Sequence, residues 1–101
     1  MKCARQTCDG VARWYPVMVL YANRRTYPTA PPARAVAGVP VCDQHREKVT
    51  LAHLLTDEGW RSIVQGFRAA GKVTPERAAT ELEFIAIDSR EAREFNRARG
   101  H

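Results

Sequence analysis

The sequence predicts an α+β fold, and three observations lead there. An aromatic and β-branched stretch follows the first ten residues, later segments carry the spacing of amphipathic helices, and a run near the end alternates apolar with polar. With 101 residues and 45% hydrophobic content there is material for one core and not for two. We therefore expect a single domain over 1–101, in which 1–55 forms a hairpin and helix and 56–101 adds a helix, a strand and a terminal helix.

Residues 12–22, "ARWYPVMVLYA", suit a strand, and Pro16 argues for an edge position or a bulge early in it. "NRRTYPTAPP" then collects Asn23, Pro28, Pro31 and Pro32, the chemistry of a loop between extended segments. "ARAVAGVPV" places Ala35, Ala37, Val39 and Val41 on one side at period two, so a returning strand is expected, weakened by Gly38 and Pro40. Together these make a long-looped hairpin.

From Asp43, placed as a cap, the spacing becomes helical, with Val49, Ala52 and Leu55 on one face of a helix ending near Leu55. Thr56 and Asp57 can cap a second helix whose Trp60, Ile63, Val64 and Phe67 follow the i, i+3, i+4, i+7 rule, with Gly71 as terminator. "TELEFIAI" sets Leu82, Phe84 and Ala86 against Glu83, Ile85 and Ile87, which predicts a strand. Asp88 with Glu91 has the form of a capping box for a last helix, whose thin apolar face of Ala92, Phe95 and Ala98 needs a neighbour and whose end should fray near Gly100.

The chemistry-bearing residues are Cys3, Cys8, Cys42 and His45. They form a C-x4-C pair and a C-x2-H pair separated by 33 residues. Zn²⁺ takes four soft or borderline donors in a tetrahedron, and each short-spaced pair can span one edge of it. Three cysteines cannot all pair within a chain, which makes a disulfide framework the poorer explanation. The competing reading is a buried cysteine packed for its apolarity. His53, about two helical turns beyond His45, is an alternative fourth ligand, and His101 a weaker one.

With "CARQTCDG" as a knuckle and "CDQHREKV" as a helix start, the sequence resembles a treble-clef zinc finger over residues 3 to 55. The resemblance implies a two-ligand knuckle, a β-hairpin and a helix whose first turn supplies the remaining ligands. It also leaves the target open, since the family binds nucleic acids, proteins and lipids. This chain departs from the pattern in having four residues between the knuckle cysteines and in placing Gly10 one position late. A zinc ribbon, with the second pair on a β-turn, is the alternative topology. Four protein ligands close the coordination sphere and make the expected site structural, because catalytic zinc keeps a position open.

The net charge of +5 lies wholly in the first half, where residues 1–55 hold eight Lys/Arg against three Asp/Glu while 56–101 hold eight against eight. Arg outnumbers Lys 13 to 3, a bias that a GC-rich genome also produces. Arg5, Arg13, Arg24, Arg25 and Arg34, with Tyr27 interleaved, are the candidates for contacting DNA or RNA, cations neutralising phosphates while a ring stacks on a base. The alternative is a protein-interaction module, an adaptor or inhibitor of phage or mobile-element type, with Trp14 as its anchor and a monomer or homodimer both open. Trp60, on a helix stripe, is expected in the core. Neither a zinc-deaminase signature nor a paired-histidine nuclease core is present, and Asp43 with His53 needs no acid–base role, so no enzyme is expected. No apolar run long enough for a bilayer and no secretory apolar core appear, which gives the expectation of a cytoplasmic protein with no membrane partner.

Overall fold

The chain's first strand lies in the middle of its sheet. In the computed structural model, which describes residues 1–5 and 8–99, β1 (Trp14–Leu20) is flanked by β2 (Ala33–Val36) and β3 (Glu81–Ala86), both antiparallel to it. Among the described residues four helices complete an α+β fold: α1 (Asp43–Arg46), α2 (Leu51–Leu54), α3 (Asp57–Ala69) and α4 (Arg90–Ala98), with a 3₁₀ turn at Arg77–Ala79. The expected fraying near Gly100 and the candidate ligand His101 lie outside the described residues. Among the described residues no helix is long and apolar enough to cross a membrane.

Register determines what each face of the sheet meets, because directly opposed residues share a face. Met18 pairs with Ala35 and Leu82, and Pro16 with Phe84, which puts these with Trp14 and Leu20 on one face. Met18 and Leu20 there form a core cluster with Leu55, against which Leu51, Leu54, Trp60, Ile63 and Phe67 pack. Val17 and Val19, buried on the other face with Tyr15, align with Arg34, Val36 and Glu83. α4 covers this second face: the Phe95 ring meets Tyr15 edge-on at 5.7 Å, and Ala92 is fully buried. The thin apolar stripe of α4 thus finds its neighbour within the chain.

Of the edge position or early bulge expected from Pro16, the bulge is present at the start of β1, where the Arg13 and Trp14 N–H groups both donate to the Val41 carbonyl at 2.9 and 3.0 Å, but Pro16 is not at an edge, and the reason is where β2 stops. The pairing with β2 begins at Val17–Val36, one step past the proline. The next pair, Pro16–Ala37, makes only the Ala37 N–H to Pro16 carbonyl bond of 2.8 Å, so the missing proline N–H falls where the neighbouring strand has already ended. The returning strand is correspondingly shorter than 33–41. Val39 is exposed, and Val41 rejoins the sheet separately as a bridge to Trp14.

The single helix expected over 43–55 is two one-turn helices separated by an extended Thr50 (φ −126°, ψ 157°). Its apolar residues serve two different clusters. Val49 packs against Cys3, Val41 and Cys42, while Leu51, Leu54 and Leu55 join Met18 and Leu20, leaving Ala52 exposed. One straight helix cannot aim at both. Two caps also sit one residue away from expectation. Cys42, not Asp43, occupies the N-cap of α1, and Ser89, not Asp88, caps α4 by accepting from the Ala92 N–H at 3.2 Å. α3 follows the sequence closely: Thr56 Oγ1 accepts from Gly59 N–H at 3.0 Å, and Gly71 at φ +68° closes the helix with Lys72 N–H donating to the Phe67 carbonyl.

Candidate metal centre

Short backbone links hold each donor in place. Cys3 N–H donates to the Gly10 carbonyl at 3.0 Å, Ala4 N–H to Pro40 at 2.7 Å and Ala12 N–H to Met1 at 2.8 Å, which folds the N-terminal segment back on itself and onto residue 40. Buried Val41 exchanges bonds with Trp14, 2.9 Å and 3.0 Å, fixing Cys42 against the start of β1. From the N-cap, Cys42 begins the single turn of α1, and i, i+3 spacing brings His45 over the same side.

The result is a cluster of Cys3, Cys8, Cys42 and His45 whose donor atoms all lie within 4.8 Å of one another. Cys8 Sγ and Cys42 Sγ are 3.7 Å apart, and His45 Nδ1 lies 3.4 Å from Cys3 Sγ and 3.3 Å from Cys42 Sγ. A tetrahedral zinc with metal–sulfur bonds of about 2.3 Å and a metal–nitrogen bond of about 2.1 Å needs S···S edges of about 3.8 Å and S···N edges of about 3.6 Å. Three of the six edges come within about 0.3 Å of these lengths and the rest lie within 4.8 Å, so the residues fit the ion. All three cysteines are free thiols.

The surroundings favour thiolate at the deepest position. Burial pushes the Cys3 thiol up, but the N–H groups of Arg5 and Cys42 together with the His45 and Cys42 side chains outweigh it and draw the thiol down from 9.0 to about 6. Cys8 goes the other way: the Gly10 N–H draws it down, yet burial and the Cys42 and Cys3 sulfurs together raise it. That Gly10 amide, 3.3 Å from Cys8 Sγ, is a contributor the ligand spacing alone does not reveal. A Cβ at Gly10 would stand 3.2 Å from Cys8 Sγ and 3.3 Å from Cys42 Cβ, so the glycine permits the close approach.

No family model, curated protein or solved structure matches this chain. The residues themselves carry the reading.

His53 stands outside the cluster, exposed on α2 and hydrogen-bonded with Thr50 Oγ1 at 3.0 Å. Trp14 is half-buried against Cys3, Val41 and Cys42; its indole N–H donates to Asp43 Oδ1 at 2.6 Å and the Arg46 guanidinium lies 4.5 Å above the ring. The candidate phosphate contacts are dispersed. Exposed Arg13 pairs with Asp43 at 3.4 Å beside the metal cluster, and Arg5 is exposed within the knuckle. Arg24, Arg25 and Tyr27 are exposed beyond the other end of β1, a strand whose span is about 20 Å at 3.3 Å per residue. Asn23 shapes that loop, its Oδ1 accepting from the Arg25 and Thr26 N–H groups, while Arg24 lies 4.7 Å over the Tyr21 ring. Arg34 is committed elsewhere: it grips Glu91 with two bonds of 2.9 and 3.1 Å and reaches Glu83 at 3.3 Å, and Glu91 first, then Glu83, hold its guanidinium charged more firmly than usual.

Proposed function

We propose that this chain is a small zinc-stabilised module of treble-clef type that binds nucleic acid and performs no chemistry of its own. The observation that carries the metal part is the match between the 3.3–3.7 Å donor spacings and the edges of a zinc tetrahedron. The position of the second ligand pair at the start of α1 favours a treble clef over a ribbon. Four protein donors leave no position on the ion for water or substrate, which supports a structural role. Three unpaired thiols suit a reducing compartment, the cytoplasm on this reading.

The nucleic-acid part is supported by the hairpin loop, where Arg24 and Arg25 stand exposed beside Tyr27, and by the excess of basic residues in the first half. Arg24 and Arg25 would follow phosphates, with Tyr27 offering a face to an unpaired base. Arg5 and Arg13 belong to the opposite end and would serve a longer polymer, whereas Arg34 is assigned to holding α4.

The test has two arms. Elemental analysis of protein purified without chelator should find one zinc per chain. Fluorescence anisotropy with single- and double-stranded DNA and RNA at low salt should show binding that weakens linearly on a log–log salt plot. Changing both Arg24 and Arg25 to Ala should lower that slope by about 1.4 on single strands or about 1.8 on duplex. One zinc with no binding to any of the four polymers removes the nucleic-acid target and leaves the metal module standing. Binding that is indifferent to salt removes the phosphate mechanism.

A further inference from the structure

We propose that the open edge of β2 and the neighbouring face of α3 form a two-fold interface with a second copy of this chain. The Ala37–Pro16 bond makes 16–37 a hydrogen-bonded pair, and alternation then turns the amides of Ala33 and Ala35 toward β1 and those of Arg34 and Val36 outward. Among the described residues, no backbone hydrogen bond outside the helices and strands involves Arg34 or Val36. The other edge of the sheet, β3, carries exposed Glu81 and Glu83, a usual protection against edge pairing, whereas the one charge on β2, Arg34, is neutralised by Glu83 and Glu91.

Beside this edge runs an apolar groove of about 260 Å³, lined by Ala33, Ala35, Ile63, Gly66, Phe67 and Ala70 among others. α3 thus faces the groove with small residues one turn apart, Ser62, Gly66 and Ala70. Nothing lies within 4 Å of where a Cβ on Gly66 would stand, so no neighbour in the chain requires a glycine there. A glycine inside a helix costs about 1 kcal/mol relative to alanine, a cost that a second backbone approaching closely would explain. Trp60, Ile63, Val64 and Phe67 are all only half-buried.

The molecule is elongated, 45 × 27 × 23 Å, and exposes enough surface to spare a standard interface. The chain exposes 7059 Å², whereas a monomer of 11.4 kDa is expected to expose about 5,800 Å². The difference exceeds the roughly 800 Å² per partner of a standard interface. The radius of gyration, 14.6 Å, is likewise above the roughly 13 Å of a domain this size.

Self-complementarity selects a second copy as the occupant of this edge. A two-fold axis at Ala35 would pair Arg34 with Val36 of the other chain, keeping the two arginines apart and letting the small Ala35 side chains meet. With α3 lying along this edge, the same axis would set the two α3 helices antiparallel and bring the first turn of one, with Glu58, toward the end of the other, with Lys72. Neither residue has an ion-pair partner among the described residues.

Sedimentation equilibrium of the zinc-loaded chain across micromolar to millimolar concentration tests this. Wild type should reach the mass of two chains. Val36→Pro blocks an outward amide and Gly66→Arg fills the groove; each should raise the dimer dissociation constant on the order of 100-fold while zinc content and far-UV circular dichroism stay unchanged. Glu58→Lys should weaken the dimer severalfold, and adding Lys72→Glu should restore it. A single-chain mass at every concentration overturns the proposal. So does a dimer that withstands whichever of Val36→Pro and Gly66→Arg remain folded, or one that is indifferent to the charge exchange.

Discussion

Adding one methyl group at Gly10 should cost this protein much of its hold on zinc. The new Cβ would lie 3.2 Å from Cys8 Sγ, 3.3 Å from Cys42 Cβ and 3.4 Å from Cys42 Sγ, the first two inside ordinary contact distance. Two of these three atoms are metal donors, which cannot retreat without lengthening a metal–sulfur bond. The knuckle must shift instead, and overpacking of that kind costs about 1–3 kcal/mol. Moving the loop also strains the 3.3 Å bond from the Gly10 N–H to Cys8 Sγ, a hydrogen bond to an ionised group, worth about 1.5–3 kcal/mol if lost. With both effects partial, a loss of about 2–4 kcal/mol is expected, or zinc affinity lower by roughly 30- to 1,000-fold. Competition against a chromophoric chelator at neutral pH measures it. Gly66→Ala is the internal control, because its Cβ meets no atom within 4 Å among the described residues of the same chain and lies away from the knuckle, so it should leave zinc affinity alone. If Gly10→Ala binds zinc within threefold of wild type, the packing argument for the knuckle is wrong.

Arg34→Ala should lower stability by about 1 kcal/mol, the upper range for partly exposed pairs, and so lower Tm by about 4–8 °C, an effect that shrinks in high salt. The same variant should leave nucleic-acid affinity unchanged, in contrast to Arg24→Ala. Ser89→Ala removes the cap of α4 and should cost about 1 kcal/mol, visible as faster amide exchange in residues 90–98. Cys3 has a folded-state value drawn below 9.0, to about 6, so the stability it contributes is full above 9.0 and lost as pH falls through about 6. Protons also compete with the ion for the thiolates, so an indicator-dye titration should show zinc held at neutral pH and released below about 6. Release already complete at pH 7.5 would contradict this.

What could be read from the sequence is what is encoded locally. α3 carries its own periodicity, its Thr56 cap and its Gly71 stop within sixteen residues, and it forms where expected. β3 shows its alternation, and the four donors declare themselves by the spacing within each pair. Apart from the α4 cap, where Asp88 and Ser89 compete within one turn, the misreadings concern residues whose partners lie far away in sequence. Pro16 tolerates a central strand only because β2 ends beside it, and the break after α1 arises because Val49 and Leu51 are drawn to separate clusters. Arg34 looks like any loop-side cation until Glu83 and Glu91, about fifty residues later, come within reach. Cys42 displaces Asp43 as the cap because Val41 is pinned to Trp14, a bridge invisible in a local window.

The central position of β1 bears on how the protein is made. Its second partner, β3, leaves the ribosome more than sixty residues after β1 itself. At a synthesis rate of about 5–20 residues per second, the apolar run "WYPVMVL" waits for seconds with one side unmatched. Early capture of the ion at residues 3–45 would hold that run against β2 during the wait, so metal supply should govern how much newly made chain escapes aggregation.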